Sequence, residues 1–232
     1  LWGYENWSRQ SWFLAPKYYY EQYTYREGFV DVYYHSIRAD YPIQIAFAGE
    51  RSGSLGITSK GSIIIDGVVK NESGNTSFIT DGAIKSNSNV PIATRNLTLK
   101  AGTGIGGILP VCISLSGNGV LNAETLSGDI NIKETLGKLL LGKVTTASGN
   151  VKLESKTGIF AENAGTSLIK GNTIELLTAY GPIQGSEASS ATLLRIDTGD
   201  GDGTGLIAKA ASNINIEETA GSLRVISVTS GS

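Results

Sequence analysis

The sequence predicts an all-β chain folded as a parallel β-helix with coils of about 21 residues, because of a duplicated motif and a short repeat period. The motif Asp129-Ile-Asn-Ile-Lys-Glu-Thr135 recurs as Asn213-Ile-Asn-Ile-Glu-Glu-Thr219, 84 residues further along. Three weaker copies lie between them. The first inward-facing apolar residues of the five copies follow at steps of 21, 23, 20 and 20 residues; they are Ile130, Val151, Ile174, Leu194 and Ile214.

The first 47 residues differ in composition from the rest of the chain. All three tryptophans and nine of the ten tyrosines precede residue 42. Strand propensity over residues 17–26, and apolar alternation over residues 29–34 and 42–47, predict β-structure there. We therefore divide the chain into an aromatic-rich N-terminal segment, 1–47, and a parallel β-helix repeat region, 48–232.

Within the repeat region, short strands alternate with turn residues. Many strands follow a glycine and a small polar residue, as at Gly61-Ser62, Gly128-Asp129 and Gly149-Asn150. Glycine and asparagine tolerate positive φ, so stacked coils are expected to place these pairs in a column at one corner. A β-sandwich also has short strands and many turns. The position-by-position repeat and the scarcity of two-residue hairpin turns favour the β-helix.

Composition argues against several classes of partner. The net charge of −2 provides no electrostatic reason to bind nucleic acid or an anionic membrane surface. No apolar run approaches the roughly 18 residues that span a bilayer. We expect neither nucleic acid as a partner nor membrane insertion. Cys112 is the only cysteine and lies in an apolar run, where a thiol behaves as a small buried hydrophobic group.

The chemistry-bearing residues do not predict an enzyme. His35 is the only histidine, and one histidine with one distant cysteine does not supply a zinc site. Charged residues fall at strand positions that alternation predicts to face outward, and their signs alternate as on a soluble solenoid surface. These residues are Lys133, Glu134, Lys152, Glu154, Lys156, Glu175, Arg195, Glu217 and Glu218.

One segment is a candidate ion site. In residues 197–207, acidic and hydroxyl side chains alternate with glycine as the oxygen ligands of a calcium loop do. The candidate ligands of a weak Ca²⁺ site are Asp197, Asp200, Asp202 and Thr204. The position expected to hold a bidentate glutamate is Ala211. The alternative is a glycine–aspartate loop that bulges between two coils.

The N-terminal aromatic residues have two interpretations. They bury large areas and so suit a cap or a junction. They also stack on sugar rings and anchor interfaces, which makes them candidate contacts for a glycan or a neighbouring subunit. The candidate binding residues are Trp2, Trp7, Trp12, Tyr18, Tyr19, Tyr20, Tyr23 and Tyr25.

Three stretches resemble the repeat text of filamentous haemagglutinin-like bacterial exoproteins exported by two-partner secretion; they are residues 48–71, Ser127-Gly-Asp-Ile-Asn-Ile and Ser148-Gly-Asn-Val-Lys-Leu. The resemblance covers residues 48–232. It implies a right-handed parallel β-helical shaft, located outside the cell or on its surface, that serves adhesion, aggregation or matrix building. It also implies that this chain is an internal fragment of a longer protein.

Three functional hypotheses follow. The first is a structural or adhesive segment of a large extracellular protein, which associates with itself or with neighbouring segments of the same long protein. The second is a carbohydrate-binding module that binds cell-surface glycans through the N-terminal aromatics. The third is a polysaccharide-degrading β-helix with an acid-lined cleft. We expect the first, with no catalytic residue and no cofactor; the Ca²⁺ site at residues 197–204 is a candidate only.

Overall fold

The computed structural model describes residues 22–26, 29–33, 45–46 and 53–231. The chain divides into two units, Leu1–Ile43 and Gln44–Ser232. In the first unit, β1 (Gln22–Arg26) pairs antiparallel with β2 (Phe29–Tyr33), with Tyr23 opposite Val32. The predicted organisation had its boundary after residue 47, close to this division.

The second unit is a parallel β-solenoid of about eight coils with about 21 residues in each, and the predicted fold class is therefore confirmed. The described residues contain no helix, and hence none long and apolar enough to cross a membrane. Its strands are β3 (Ile45–Ala46), β4 (Ser54–Ser59), β5 (Ile63–Ile65), β6 (Val69–Thr80), β7 (Ile84–Ser86), β8 (Ile92–Ala101), β9 (Val111–Leu115), β10 (Val120–Thr125), β11 (Ile130–Glu134), β12 (Leu139–Thr146), β13 (Val151–Ser155), β14 (Ile159–Ala161), β15 (Leu168–Gly171), β16 (Thr173–Thr178), β17 (Ile183–Gln184), β18 (Leu194–Thr198), β19 (Gly205–Ala210), β20 (Ile216–Glu218) and β21 (Val225–Ser230).

Each coil runs along three faces, and every pairing between coils is parallel. Face A stacks β4, the second half of β6, the second half of β8, β10, the second half of β12, β15, β18 and β20. Face B stacks β5, β7, Ile105, β11, β13, β16, β19 and β21. Face C comprises β3, the first halves of β6, β8 and β12, then β14, β17 and Ile214, with β9 against β8.

The core consists of columns in which each coil contributes one inward residue above its equivalent in the preceding coil. On face B, one column consists of Ile63, Ile84, Ile105, Ile130, Val151, Ile174, Leu206 and Val225. From Ile84 to Leu206 these side chains are at most 2% exposed. Burying an aliphatic side chain of this size contributes about 1.5–3 kcal/mol, which only an adjacent coil makes possible.

Inward hydroxyl groups satisfy backbone carbonyls where the chain turns from one face to the next. At the A–B corner, the buried Thr125 and Thr146 both donate to the carbonyl of Gly128, at 3.1 and 2.9 Å. At the B–C corner, Ser155 donates to the carbonyls of Gly137 and Gly158, at 3.0 and 2.8 Å. A buried carbonyl without a partner would cost about 1–3 kcal/mol, so these residues hold the corners in place.

The predicted glycine-polar column is present at the A–B corner. The backbone N–H of Asn150 donates to the carboxylate of Asp129, and the N–H of Thr173 donates to the side-chain oxygen of Asn150, at 2.8 and 3.1 Å. Each polar residue therefore caps the turn of the coil stacked on it. This arrangement requires the turns to recur at one place, as the repeat predicts.

The second half of the predicted register is wrong. Ile130, Val151 and Ile174 stack as predicted, but the next residue in their column is Leu206. Leu194 lies on face A opposite Ile216, and Ile214 bridges Ile183 on face C. Inserted residues 185–193 and 199–204 lengthen this coil. Apolar residues alternate in the same way on all three faces. The similarity of the repeat copies therefore did not reveal that Leu194 and Ile214 lie on other faces than Ile130.

Alanine substitution at two glycines of the B–C corner tests how closely the coils approach one another. A Cβ atom at Gly181 would lie 1.8 Å from the carbonyl oxygen of Thr157, whereas one at Gly137 would meet nothing within 4 Å. We expect Gly181→Ala to lower the free energy of unfolding by about 1–3 kcal/mol, as overpacking does. Gly137→Ala is the matched control and should change it by less than about 0.5 kcal/mol. Chemical denaturation measures both, and equal effects would contradict the close stacking.

Candidate functional site

The most unusual group in the solenoid is a buried carboxylate at the B–C corner. Glu134 ends β11 with its side chain 1% exposed. Its Oε2 accepts the backbone N–H of Leu115 in the preceding coil at 2.9 Å. Its Oε1 accepts the N–H groups of Leu136 and Gly137 in its own turn, at 3.1 and 3.2 Å. One carboxylate therefore joins two coils and caps the turn that follows.

The second copy of the duplicated motif repeats these contacts at a different corner. The carboxylate of Glu218 accepts the N–H of Thr198 in the preceding coil at 3.2 Å and the N–H of Ala220 in its own turn at 3.4 Å. The residue after each glutamate also matches. Thr135 donates to the carbonyl of Ile113, and Thr219 donates to that of Ile196, through both backbone and side chain.

The prediction that Glu134 faces outward is therefore wrong, and Glu218 is partly buried as well. Strand alternation places residues 130, 132 and 134 on the inner side. The backbone N–H donors of the turn offset the free-energy cost of burying the carboxylate of Glu134 there. The duplicated motif thus specifies a corner with two coil-to-coil contacts. It does not specify a fixed position around the coil.

Burial raises the pKa of the Glu134 carboxyl group above its ordinary value of 4.5, and the N–H donors of Leu115, Leu136 and Gly137 oppose part of the rise. The folded protein therefore binds a proton here more readily than the unfolded chain does. The stabilisation linked to that proton is complete below pH 4.5 and is lost as the pH rises through the folded pKa.

Outward charges on face B form a ladder across three coils. Lys133 Nζ lies 3.0 Å from Glu154, and Lys152 Nζ lies 3.6 Å from Glu154 and 3.1 Å from Glu175. The hydrogen bond to Glu175 raises the pKa of Lys152, while its partial burial opposes the rise. These side chains are partly solvated, so each pair contributes about 1 kcal/mol or less. The opposite charges instead ensure that stacked outward residues of neighbouring coils do not repel each other in this register.

Face A carries the same kind of pairs between outward residues of stacked coils. Lys100 pairs with Glu124 at 3.1 Å, and Lys170 pairs with Asp197 at 2.5 Å. Arg195 approaches Glu217 at 4.0 Å and also donates to the carbonyl of Gly165. The predicted alternation of charge between coils is therefore present on two faces. Pairing leaves these carboxylates beside cations rather than gathered in an acidic cleft.

The four predicted calcium ligands each contact other groups of the protein. Asp197 pairs with Lys170, and Asp202 accepts from Arg224 at 3.1 Å. Asp200 accepts the N–H of Ser222 at 3.2 Å and lies close to Gly221, where a Cβ atom would be 2.4 Å from its Oδ1. The Thr204 hydroxyl donates to the carbonyl of Gly201 at 2.6 Å. The loop connects β18 to β19 within one coil.

No three histidine, cysteine, aspartate or glutamate side chains of the described residues are arranged to hold a metal ion. The calcium site stays a prediction, and the contacts of Asp197, Asp200 and Asp202 provide it no support.

A second inserted loop, residues 185–193, follows β17. Phe160 and Gln184 occupy adjacent outward positions on face C, yet they are only 4% and 5% exposed. The Nε2 of Gln184 donates to the carbonyl of Ser186, and Asn215 donates to that of Ser190 at 2.7 Å. Lys138 forms an ion pair with Glu187. These contacts hold the loop at β17, at Asn215 in the following coil and at Lys138 two coils earlier.

The last described coil is covered on one side only. Within residues 53–231, no strand pairs with the outer side of β20 or β21. Val225 and Val228 stack inward on Leu206 and Ala208, but they are 58% and 44% exposed. In contrast, Leu206 and Ala208 are 2% and 1% exposed. Inward apolar side chains are thus buried where described coils lie on both sides of them.

The other residues singled out in the sequence fall into two groups. Cys112 is buried as predicted, and burial raises the pKa of its thiol, which keeps it protonated and unreactive. The side chains of the eight predicted aromatic binding residues lie outside the described residues, although Tyr23 and Tyr25 belong to β1. His35 also lies outside the described residues.

A scan against protein-family models matches no family. Searches of curated proteins and of solved structures likewise return no significant match. The fold and the contacts above therefore carry the functional argument alone.

Sequence reasoning missed the corner carboxylates. The signal for Glu134 was available, because it lies two residues after Ile132 and four after Ile130 and therefore on the same inward side of the strand.

Glu134→Gln tests the pH linkage. Glutamine does not titrate, so the unfolding free energy of wild type minus that of the variant should fall as the pH rises from below 4.5 through the folded pKa. The fall is about 1.4 kcal/mol for each pH unit by which the folded pKa exceeds 4.5. Denaturant titrations over this pH range measure it, and the exposed Glu162→Gln is the control. A difference that grows with pH would show that the N–H donors outweigh burial.

Calcium titration tests the Asp200 loop. Because Asp197, Asp200 and Asp202 already contact protein donors, we expect the unfolding midpoint to be the same in excess Ca²⁺ and in chelator. Asp200→Ala should lower it in both, since the turn at Ser222 loses its acceptor. A site occupied at 100 times its Kd would add about 2.7 kcal/mol, so a clear Ca²⁺-dependent rise that Asp200→Ala abolishes would establish the calcium site.

Proposed function

We propose that this chain is a structural or adhesive segment of a large extracellular bacterial surface or filament-forming protein, and that it acts through the rigidity of its β-solenoid. The observation that carries the proposal is the continuity of the core. One column of apolar residues passes through every described coil from Ile63 to Val225, and from Ile84 to Leu206 its side chains are at most 2% exposed. Such a rod supplies length and stiffness.

The surface contacts support the same role. Opposite charges pair between coils on faces A and B, so these outward carboxylates form ion pairs that link stacked coils. A polysaccharide-degrading β-helix instead needs acids free to approach a substrate. With strands about 4.8 Å apart, eight coils extend about 40 Å along the axis. Repetition of such units is an economical way to make a long, thin protein.

The extracellular location and the likeness to filamentous haemagglutinin-type exoproteins belong to this proposal. They rest on the repeat text, in which glycine and a small polar residue precede alternating aliphatic residues. A likeness to those exoproteins predicts a β-solenoid, and the described fold is a β-solenoid. Adhesion to cell-surface glycans through the N-terminal aromatic residues is an accessory role within the same proposal.

Labelling of the native material tests the proposal. An antibody against exposed loops of the solenoid, such as residues 185–193, should mark filaments or the outer surface of the intact cell in electron micrographs. The purified chain should not depolymerise anionic or neutral polysaccharides. Label confined to the cytoplasm, or turnover of a polysaccharide that Glu154→Gln and Glu175→Gln abolish, would overturn the proposal.

A glycan array tests the accessory role. We expect Trp7→Ala and Trp12→Ala to remove any glycan binding of the full chain, because an aromatic face that stacks on a sugar contributes most of the contact energy. Tyr180→Ala is the matched control, since Tyr180 is 75% exposed on the solenoid itself. Binding lost only with Tyr180→Ala would move the glycan site to the solenoid.

A further inference from the structure

The inserted loop at residues 185–193, called the strap below, covers two outward side chains of face C. Phe160 and Gln184 stack in register on successive coils and are only 4% and 5% exposed. Other outward positions of the solenoid face solvent, as Lys143 and Lys170 do on face A. The strap therefore lies over an aromatic ring and a carboxamide that are outside the core.

Polar contacts hold the strap, with little apolar packing. Six of its nine residues are exposed, and its one large apolar side chain, Leu193, is 43% exposed. The backbone N–H of Gly185 donates to the carbonyl of Thr192 at 2.7 Å and closes the base of the loop. Segments that bury little apolar surface have a low free energy of local opening. The strap can therefore open while the core columns stay intact.

Three side chains of the solenoid donate hydrogen bonds to the strap. Gln184 Nε2 and Asn215 Nδ2 each donate to a backbone carbonyl of the strap, at 2.6 and 2.7 Å. Lys138 Nζ donates to the carboxylate of Glu187. The strap thus presents two neutral oxygens and one carboxylate to a set of donors that the coils fix in place.

One buried acceptor beneath the strap has no donor. The Oε1 atom of Gln184 forms no hydrogen bond with any described residue. The amide group cannot be turned round, because its Nε2 faces a backbone carbonyl, which only accepts. A buried polar atom without a protein partner is rare, so it indicates a place where a hydroxyl group or a water molecule donates. The site therefore combines three donors, one acceptor and an aromatic ring.

We propose that the strap occupies a binding site for an acidic oligosaccharide, which displaces it on binding. A sugar carboxylate takes the place of Glu187 at Lys138. Ring and hydroxyl oxygens take the place of the strap carbonyls at Gln184 and Asn215, and one hydroxyl group donates to Gln184 Oε1. The apolar face of a sugar ring packs on Phe160. This site goes beyond the proposed structural function.

The positions of these groups determine the size and charge of the ligand. Lys138, Phe160, Gln184 and Asn215 lie on four successive coils. At about 4.8 Å between strands they span about 14 Å, which is longer than one sugar ring. The side chain of Lys138 is only 23% exposed, so it needs another anion when the strap and Glu187 move away.

Substitutions of the two ion-pair partners should have opposite effects. Calorimetric titration of the full chain measures binding of trigalacturonate and of a hyaluronan tetrasaccharide, with maltotriose as the neutral probe. We expect Lys138→Gln to weaken binding of an acidic probe by about tenfold or more, because the sugar carboxylate loses its cation. Glu187→Gln should strengthen it by about threefold or more, because the strap then competes less for the site. An ion pair with a structural role alone would change binding in one direction.

Three control variants accompany this titration. Glu124→Gln breaks the exposed pair with Lys100 on face A and should leave binding unchanged. Trp7→Ala and Trp12→Ala should also leave it unchanged, which separates this site from the accessory role of the N-terminal aromatic residues. The unfolding midpoint of each variant shows that it is folded.

Hydrogen exchange tests the displacement of the strap. With a saturating acidic probe, the amides of residues 185–193 should exchange faster, because the hydrogen bond between Gly185 and Thr192 opens. The other inserted loop, residues 199–204, should keep its rate. Binding that leaves exchange of the strap unchanged would overturn the proposed displacement.

The outcomes separate this inference from the proposed function. If neither wild type nor Glu187→Gln binds either acidic probe, the Gln184 oxygen accepts from water only and the site is overturned. Binding that Lys138→Gln leaves unchanged would place the saccharide elsewhere and overturn it as well. Both results leave the structural role intact, which only internal labelling or polysaccharide turnover would overturn.

Discussion

The structure depends on the parallel backbone ladder between successive coils. A single coil of about 21 residues has no interior, and its apolar side chains become buried only when the next coil lies on it. Ile130 is fully buried because Ile105 and Val151 lie on either side of it in one column. Every corner must therefore return the chain to the same place. This requirement explains the close approach of Gly181 to Thr157 and the threonines that share the carbonyl of Gly128.

The corners carry most of the polar specificity of the fold. A buried carboxylate is costly unless donors surround it, and Glu134 meets backbone N–H groups from two coils. Glu218 makes equivalent contacts at another corner. The most similar stretches of the sequence therefore encode a means of ending a strand and holding the next turn. Burial raises the pKa of the Glu134 carboxyl group, and the N–H donors offset only part of the rise.

Surface charge supports the stacking of successive coils along the axis. Ion pairs such as Lys152–Glu175 link neighbouring coils without crowding like charges. The inserted loops at residues 185–193 and 199–204 add local surface without interrupting the core.

The fold class, the coil length and the stacking of Ile130, Val151 and Ile174 were predictable from the sequence, because period and β-branched alternation depend on local chemistry. The Asp129–Asn150 corner and the burial of Cys112 were predictable as well. The position of Ile214 on face C and the inward direction of Glu134 became visible in the folded chain alone. The reason is that all three faces have the same alternation. The face to which a strand belongs depends on where the preceding loops close, and that is a property of the whole coil.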